Sequence, residues 1–257
     1  MIRQIQHQTE AHKSAERQFR TKEMQQRWKE KISLSSYRPA EGRYYIEKIV
    51  KPELELFCRY FLPQVREKLC RGDVLELGAE SGHLSTFIKN KCAPRQVVAS
   101  DLSDSLIEAM PYVNQALGFN EQPNIVILDN YSLPFKDESF DAVLGCSVLH
   151  HVPDPATVLA QVKRVLRRNG MAVFWGEPFL PGYLLSLQFL FSRYEKKQGV
   201  CESVFSLRQW FSSMQGFRIV NFRLQPPEAL KSLLSGIPLV YRYCTGGGFG
   251  VVLQKAD

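Results

Sequence analysis

Residues 72–101 read GDVLELGAESGHLSTFIKNKCAPRQVVASD, and the fold turns on how this stretch divides. Val74-Leu75-Glu76-Leu77 is a short, mostly apolar run, long enough for a buried parallel strand and too short for a helix. The turn Gly78-Ala79-Glu80-Ser81-Gly82 follows. Leu84, Phe87 and Ile88 then recur at helical spacing, and Gln96-Val97-Val98-Ala99-Ser100 forms a second strand that closes on Asp101.

Strand, glycine turn, helix, strand and acid in that order make a nucleoside-binding α/β unit. Glycines let the backbone pass close to a ligand, and an acid closing the second strand can accept hydrogen bonds from ribose hydroxyls. Downstream the alternation continues. Ser103 is placed to cap a helix carrying Leu106, Ile107, Met110 and Val113 as far as Leu117-Gly118. A third strand, Ile125–Leu128, ends at Asp129, and a fourth runs from Phe140 to Ser147. Asp154 and Pro155 open a helix over 156–166, with Val158, Leu159, Val162, Val165 and Leu166 on its apolar face and Asn169-Gly170 as its stop. Met171–Trp175 is the fifth strand, with Gly176-Glu177-Pro178 as its exit. Later, Ser206 caps a short helix with Leu207, Trp210 and Phe211 inward. Strands over 217–224 and 249–253 flank a helix at 226–235. Gly246-Gly247-Gly248 has no helix after it and reads as a turn, not a phosphate loop.

Residues 1–36 are polar and rich in Gln, Lys and Arg. Glu10, Glu16, Glu23 and Glu30 interleave with the basic residues, as on a solvated helical face. Residues 43–69 read as helical, with Pro52 in the first turn of a second helix and Tyr44 and Tyr45 near a ligand or in the core. The division expected is an N-terminal helical extension or lid at 1–52 and an α/β domain at 53–257. That domain carries an apolar insertion near 179–203, read as a lid or pocket wall, with an interfacial membrane contact behind it.

Composition narrows the class. The 257 residues suffice for one α/β domain with extensions, and 44% hydrophobic with 23% charged residues is ordinary for a soluble globular protein. The N-terminus lacks the apolar segment of a secretory signal, and no run is long enough for a transmembrane helix. Six scattered cysteines without CxxC spacing suit reduced thiols and a cytoplasmic location, and the acids and histidines form no recognisable metal ligand set. The net charge of +7 gives acidic partners a hearing. The sequence assigns no oligomeric state.

The series resembles class I S-adenosylmethionine-dependent methyltransferases, in particular the small-molecule and quinone-biosynthesis group. The resemblance rests on the turn above and on Leu133-Pro134-Phe135, Ser139-Phe140-Asp141, Leu149-His150-His151-Val152-Pro153-Asp154 and Arg164–Gly170, covering Gly72 to Pro178. It implies a Rossmann-like α/β fold: a seven-stranded, mostly parallel sheet with helices on both faces and a final antiparallel hairpin. It further implies S-adenosylmethionine as cofactor, held by Glu76, Gly78, Ala79, Gly82, Asp101, Leu102, Asp129, Asn130 and Cys146. Asp129 would meet the adenine amino group, unless it only forms a turn. His150 and His151 would sit on the active-site rim as acid–base residues or as shapers of the loop, with Glu177 a weaker candidate for orienting the acceptor.

One position departs from the family turn, acid-x-Gly-x-Gly-x-Gly: Glu80 stands where the middle glycine belongs. It would point to solvent or cap the next helix, or it would crowd the cofactor and demand an unfavourable backbone angle. The leading expectation is methyl transfer to a small or amphipathic acceptor, apolar or prenylated, at oxygen. The alternative is a non-catalytic binding or assembly protein with a defective turn. A nucleic-acid methyltransferase is disfavoured, because Cys146-Ser147 stands where a flipped-base motif of the Asn-Pro-Pro-Tyr type would follow the fourth strand.

Overall fold

The computed structural model describes residues 46–183, 203–225 and 247–256. The helices expected before residue 46 with Tyr44 and Tyr45, most of the apolar segment at 179–203, the helix expected at 226–235 and the side chains of Leu106 and Ile107 lie outside the described residues.

A π-helical turn, Ile46–Val50, leads into α1 (Lys51–Tyr60), and α2 (Leu62–Leu69) follows. Pro52 and Pro63 lie in the first turns of α1 and α2, where a missing N–H leaves no helical bond unmade. The α/β alternation then runs β1 (Asp73–Leu77), α3 (His83–Lys91), β2 (Gln96–Asp101), α4 (Ser105–Leu117), β3 (Asn124–Ile127), β4 (Phe140–Cys146), α5 (Pro155–Val165) and β5 (Leu166–Phe179). The short α6 (Leu207–Ser213) precedes β6 (Phe217–Gln225) and β7 (Gly247–Lys255).

These strands form one seven-stranded sheet in the order β3-β2-β1-β4-β5-β7-β6. β1 to β5 are parallel, and β7 runs antiparallel between β5 and β6, which closes the sheet with the expected hairpin. The chain reverses its winding between β1 and β4, so a crevice opens beyond their carboxyl ends, where ligands of open α/β sheets bind.

Period-two alternation points successive side chains of the central strands to opposite faces, and both faces are buried. Leu75 and Leu77 of β1 join Val143, Phe174, Phe249 and Trp210 on the face covered by α5 and α6. Val74 joins Leu144, Val173 and Val252 under α1, α2 and α3, where Phe57 and Phe61 pack against Trp175. The π-helical turn and α1 are both part of this core, through Ile46 and Val50 of the turn and Leu54 and Phe57 of the helix.

Several local expectations need correction. α5 ends at Val165, before Asn169-Gly170, because the N–H groups of Glu138 and Ser139 take up the carbonyls of Arg164 and Val165. Leu166 already pairs with Phe140, and Asn169, at φ +57°, lies within an irregularity of β5. β3 sits one residue earlier than expected, and Leu128 gives its N–H to the carbonyl of Asp101. Asp104, not Ser103, occupies the cap position of α4. Phe211 is 40% exposed and leans on Phe222, while Leu207 and Trp210 are buried as expected. Two caps form as read: Asp154 accepts from the Ala156 N–H, and Ser206 forms a reciprocal capping box with Gln209.

Candidate functional site

The turn after β1 bends so sharply that three of its residues take positive φ: Gly78 at +63°, Glu80 at +48° and Gly82 at +71°. A Cβ on Gly78 would lie 2.5 Å from Val148 Cγ2, so the turn can pass the β4 loop only as glycine. Glu80 holds the left-handed angle that a glycine would hold. Its N–H donates to Asp101 Oδ2 at 2.9 Å, which ties the turn to the end of β2. Asp101 Oδ1 accepts from the Ser103 N–H at 2.9 Å. Glu80 does not cap α3, because the cap position is Gly82. Glu80 thus takes the backbone angle weighed as unfavourable, and its partly exposed side chain is compatible with the solvent-facing reading as well.

The carboxylate at the helix start is Glu76 instead. It projects from β1, 2% exposed, and accepts from the N–H of Ser85 at 2.9 Å and from the Ser85 hydroxyl. Burial drives its pKa up to about 7, against the opposing pull of His83 and the Ser85 bonds. Ala79 is buried and donates to the carbonyl of Ser100, and Leu102, next to Asp101, is half-buried.

On the outer side of β2, Asp129 and Asn130 are half-buried beyond β3. Asp129 Oδ1 accepts from the Tyr131 N–H at 3.0 Å, and its carbonyl accepts from Ser132, so Asp129 does form a turn. The Tyr131 hydroxyl accepts from the Asp154 N–H at 3.0 Å, which joins this turn to the loop after β4.

Cys146 ends β4, with its thiol pKa pushed well above the usual range by burial. It is therefore a neutral wall of the crevice and not a nucleophile. Beyond it, Leu149–His151 form a 3-10 turn folded around Glu177. Glu177 is fully buried, and its oxygens accept from the N–H groups of Val148, Leu149 and His150 at 2.9–3.0 Å. Glu177 Oε2 also lies 2.9 Å from Nδ1 of His150. Burial works against this carboxylate, but His150 and the backbone donors outweigh it and hold its pKa below the usual value. Enclosed in this way, Glu177 cannot touch an acceptor, and what it orients is His150. His150 is itself buried, and the half-buried His151 ring lies tilted beside it with centroids 4.0 Å apart.

The structure thus brings Glu76, Gly78, Ala79, Gly82, Asp101, Leu102, Cys146, His150 and His151 to the carboxyl ends of β1, β2 and β4. Asp129 and Asn130 lie one strand further out, beyond β3. Sequence reading missed Glu53 of α1 and His83 of α3, which meet at 2.8 Å beside the turn. Nothing in their spacing, thirty positions apart, announces the contact. A recess of about 620 Å³ lined by Asp137, Lys163, Arg164, Ser213 and Lys255 opens beside the start of β4, at the opposite end of the strands. Among the described residues, no group of His, Cys, Asp or Glu is arranged to hold a metal ion, and no helix is long and apolar enough to cross a membrane.

The residues at the crevice fit a nucleoside cofactor. A carboxylate closes β2, and the turn it bonds has no Cβ where it passes Val148, both at the carboxyl ends of neighbouring strands. Comparison with known proteins points the same way. Residues 75–174 match the family described as "Methyltransferase domain". The ubiquinone/menaquinone biosynthesis C-methyltransferase of Desulfotalea psychrophila is 31% identical over 102 residues, 40% of each chain. The malonyl-[acyl-carrier protein] O-methyltransferase of Halorhodospira halophila is 28% identical over 101 residues, 39% of this chain and 33% of that one. These matches therefore span two fifths or less of the curated relatives. A geranyl diphosphate methyltransferase, solved with geranyl diphosphate and sinefungin, shares the fold at a TM-score of 0.58 and 17% identity, over 75% of this chain and 76% of that one.

Proposed function

We propose that this chain, of which residues 75–174 match a methyltransferase domain, is a class I S-adenosylmethionine-dependent methyltransferase that methylates a small or amphipathic acceptor at oxygen. The observation that carries the choice of oxygen is the His150–Glu177 pair. A hydroxyl acceptor must lose its proton as the new bond forms, whereas an amine or an activated carbon places that demand elsewhere. With Nδ1 of His150 facing the Glu177 carboxylate, Nε2 is the ring nitrogen that would take that proton. Glu177 fixes the ring's orientation and offsets the positive charge that develops on it, while the backbone donors of the same loop keep the carboxylate ionised.

The cofactor supplies an activated methyl group on a sulfonium, so the protein's task is alignment and exclusion of water. Glu76, Gly78, Ala79, Gly82, Asp101, Leu102, Asp129, Asn130 and Cys146 would hold it. Asp101 is placed for the ribose hydroxyls and Asp129 for the adenine amino group. Relatives divide by name between carbon and oxygen as the methylated atom, and one neighbour is named for geranyl diphosphate, which has an apolar chain. The apolar stretch begins with buried Phe179, Leu180 and Pro181 before Tyr183 turns outward, and this buried start supports an apolar or prenylated acceptor.

A second reading keeps the fold for binding or assembly, and Glu80 is the feature that favours it. Calorimetric titration with S-adenosylmethionine and S-adenosylhomocysteine decides between the two. Micromolar binding supports the enzyme and directs acceptor screening with His150→Ala and His151→Ala as controls. Absence of binding in the wild type, with binding gained by Glu80→Gly, removes the enzyme reading.

A further inference from the structure

His83 is the first residue of α3 and follows Gly82 directly, yet its ring does not face solvent. It is 4% exposed and wedged between two elements. Nδ1 lies 2.8 Å from the hydroxyl of Ser81, a fully buried residue in the middle of the turn. Nε2 lies 2.8 Å from Oε2 of Glu53, which reaches down from α1 with a third of its side chain exposed. The α1 helix is fixed in turn by Leu54 and Phe57, the latter stacked on Trp175 of β5. A single imidazole therefore links the N-terminal helix to the segment that carries Glu80.

We propose that Glu53, His83 and Ser81 form a positioning relay through which α1 sets the shape of the cofactor turn. The proposal rests on the reading of this crevice as the cofactor site. Its physical basis is the strain in the turn. Glu80 at φ +48° is a conformation that a residue with a Cβ keeps only when its surroundings impose it. The Glu80 N–H bond to Asp101 holds one side of that residue. Ser81, the next residue, is held by His83, and His83 is held by Glu53.

The relay has two states that differ by one proton. In the charged ring Nδ1–H donates to the Ser81 oxygen and Nε2 faces the Glu53 carboxylate at ion-pair distance. In the neutral ring with its proton on Nε2, that charge attraction is lost and the Ser81 hydroxyl must turn to donate to Nδ1. Three carboxylates bear on the ring: Glu53 from α1, Glu76 from β1 and Glu80 from the turn. Burial disfavours the charged ring, but these carboxylates outweigh it and raise the pKa above the ordinary histidine value. Being raised, the ion pair's contribution is complete below the ordinary histidine pKa and is lost as pH rises through the folded value. Glu76, its own pKa pushed up to about 7, bears on the same ring, so the two protonations are coupled and the apparent midpoint belongs to the pair.

The test is calorimetric titration of the full chain with S-adenosylhomocysteine from about pH 6 to about pH 8.5, for wild type, Glu53→Gln and His83→Gln, each checked for folding by circular dichroism. Wild-type affinity is expected to fall by about fivefold or more across that range, a coupling of ordinary size. His83→Gln should bind at the weak end and keep only the pH dependence that Glu76 contributes, and Glu53→Gln should move the midpoint to lower pH. If both variants fold and bind with the wild-type affinity and profile, the relay is wrong and the cofactor site stands. If the wild type binds at no pH, the cofactor reading falls and the relay with it. Should His83→Gln fail to fold, the midpoint of Glu53→Gln decides alone.

Discussion

Glu177, on β5, lies 2.9 Å from Nδ1 of His150 and collects the backbone N–H groups of Val148, Leu149 and His150 with the same carboxylate. The loop after β4 is therefore built around a buried anion, and its shape and the orientation of its histidine have one cause. Removing that anion strands buried donors. Glu177→Ala should lower the unfolding free energy by about 3–5 kcal/mol, the usual cost of breaking a buried charged pair from one side. Glu177→Gln should cost clearly less, because the amide oxygen can still accept. Chemical denaturation measures both. The Glu177 pKa is depressed, so its contribution is present above the unfolded carboxylate value of 4.5 and is lost as pH falls through the folded one. An acid titration of stability should lose that component in Glu177→Gln.

Glu76 makes the opposite prediction. Its pKa rises from 4.5 to about 7, so the folded state holds a proton that the unfolded state has released. Wild-type stability should decline relative to Glu76→Gln as pH rises from about 4.5 to about 7, by on the order of 3 kcal/mol at most for a shift of that size. The same substitution should weaken S-adenosylmethionine binding if Glu76 holds the cofactor. Thermal melts at the two pH values, together with a binding titration, separate the effects. A variant no more stable at pH 8 would show that the carboxylate is not destabilised by its burial.

Glu80→Gly removes a Cβ from a residue at φ +48°. It should raise stability by about 1 kcal/mol, the ordinary cost of holding an L-residue in the left-handed region. Denaturant midpoints at unchanged slope would report it. No gain would mean that the Glu80 side chain makes compensating contacts.

Arg164 reaches back from α5 and donates to the carbonyls of Leu133 and Phe135 and to Asp137, each at 2.8 Å. It thereby holds the connection between β3 and β4, whose other end carries Tyr131 and its bond to the Asp154 N–H. Arg164→Ala should cost about 2 kcal/mol through lost charge-assisted bonds. Arg164→Lys should recover little of it, because an ammonium cannot reproduce the planar fork. Equal stability of the Lys variant and the wild type would show that charge alone suffices there.

Much of this protein was legible in residues 72–101 because the relevant signals are local. A strand too short for a helix, a turn closed by glycines and an acid at the end of the next strand each follow from backbone sterics and period-two burial, and β1, α3 and β2 form where those signals place them. The caps at Asp154 and Ser206 were legible for the same reason, since each side chain bonds a neighbour two or three positions away. Where α5 stops was not, because its terminal carbonyls are taken by Glu138 and Ser139, more than twenty residues earlier in the chain. The roles of Glu177 and His83 lay further out of reach. Sequence offers a glutamate at a strand exit and a histidine at a helix start, and either could face water. Only the packing of β5 against the β4 loop buries Glu177 among donors, and only the lie of α1 across the sheet brings Glu53 to His83. Local chemistry thus determined the elements and the glycine-closed turn after β1. Long-range packing decided which charges are buried and what they hold, since burial is a property of the assembled layers and not of any one segment.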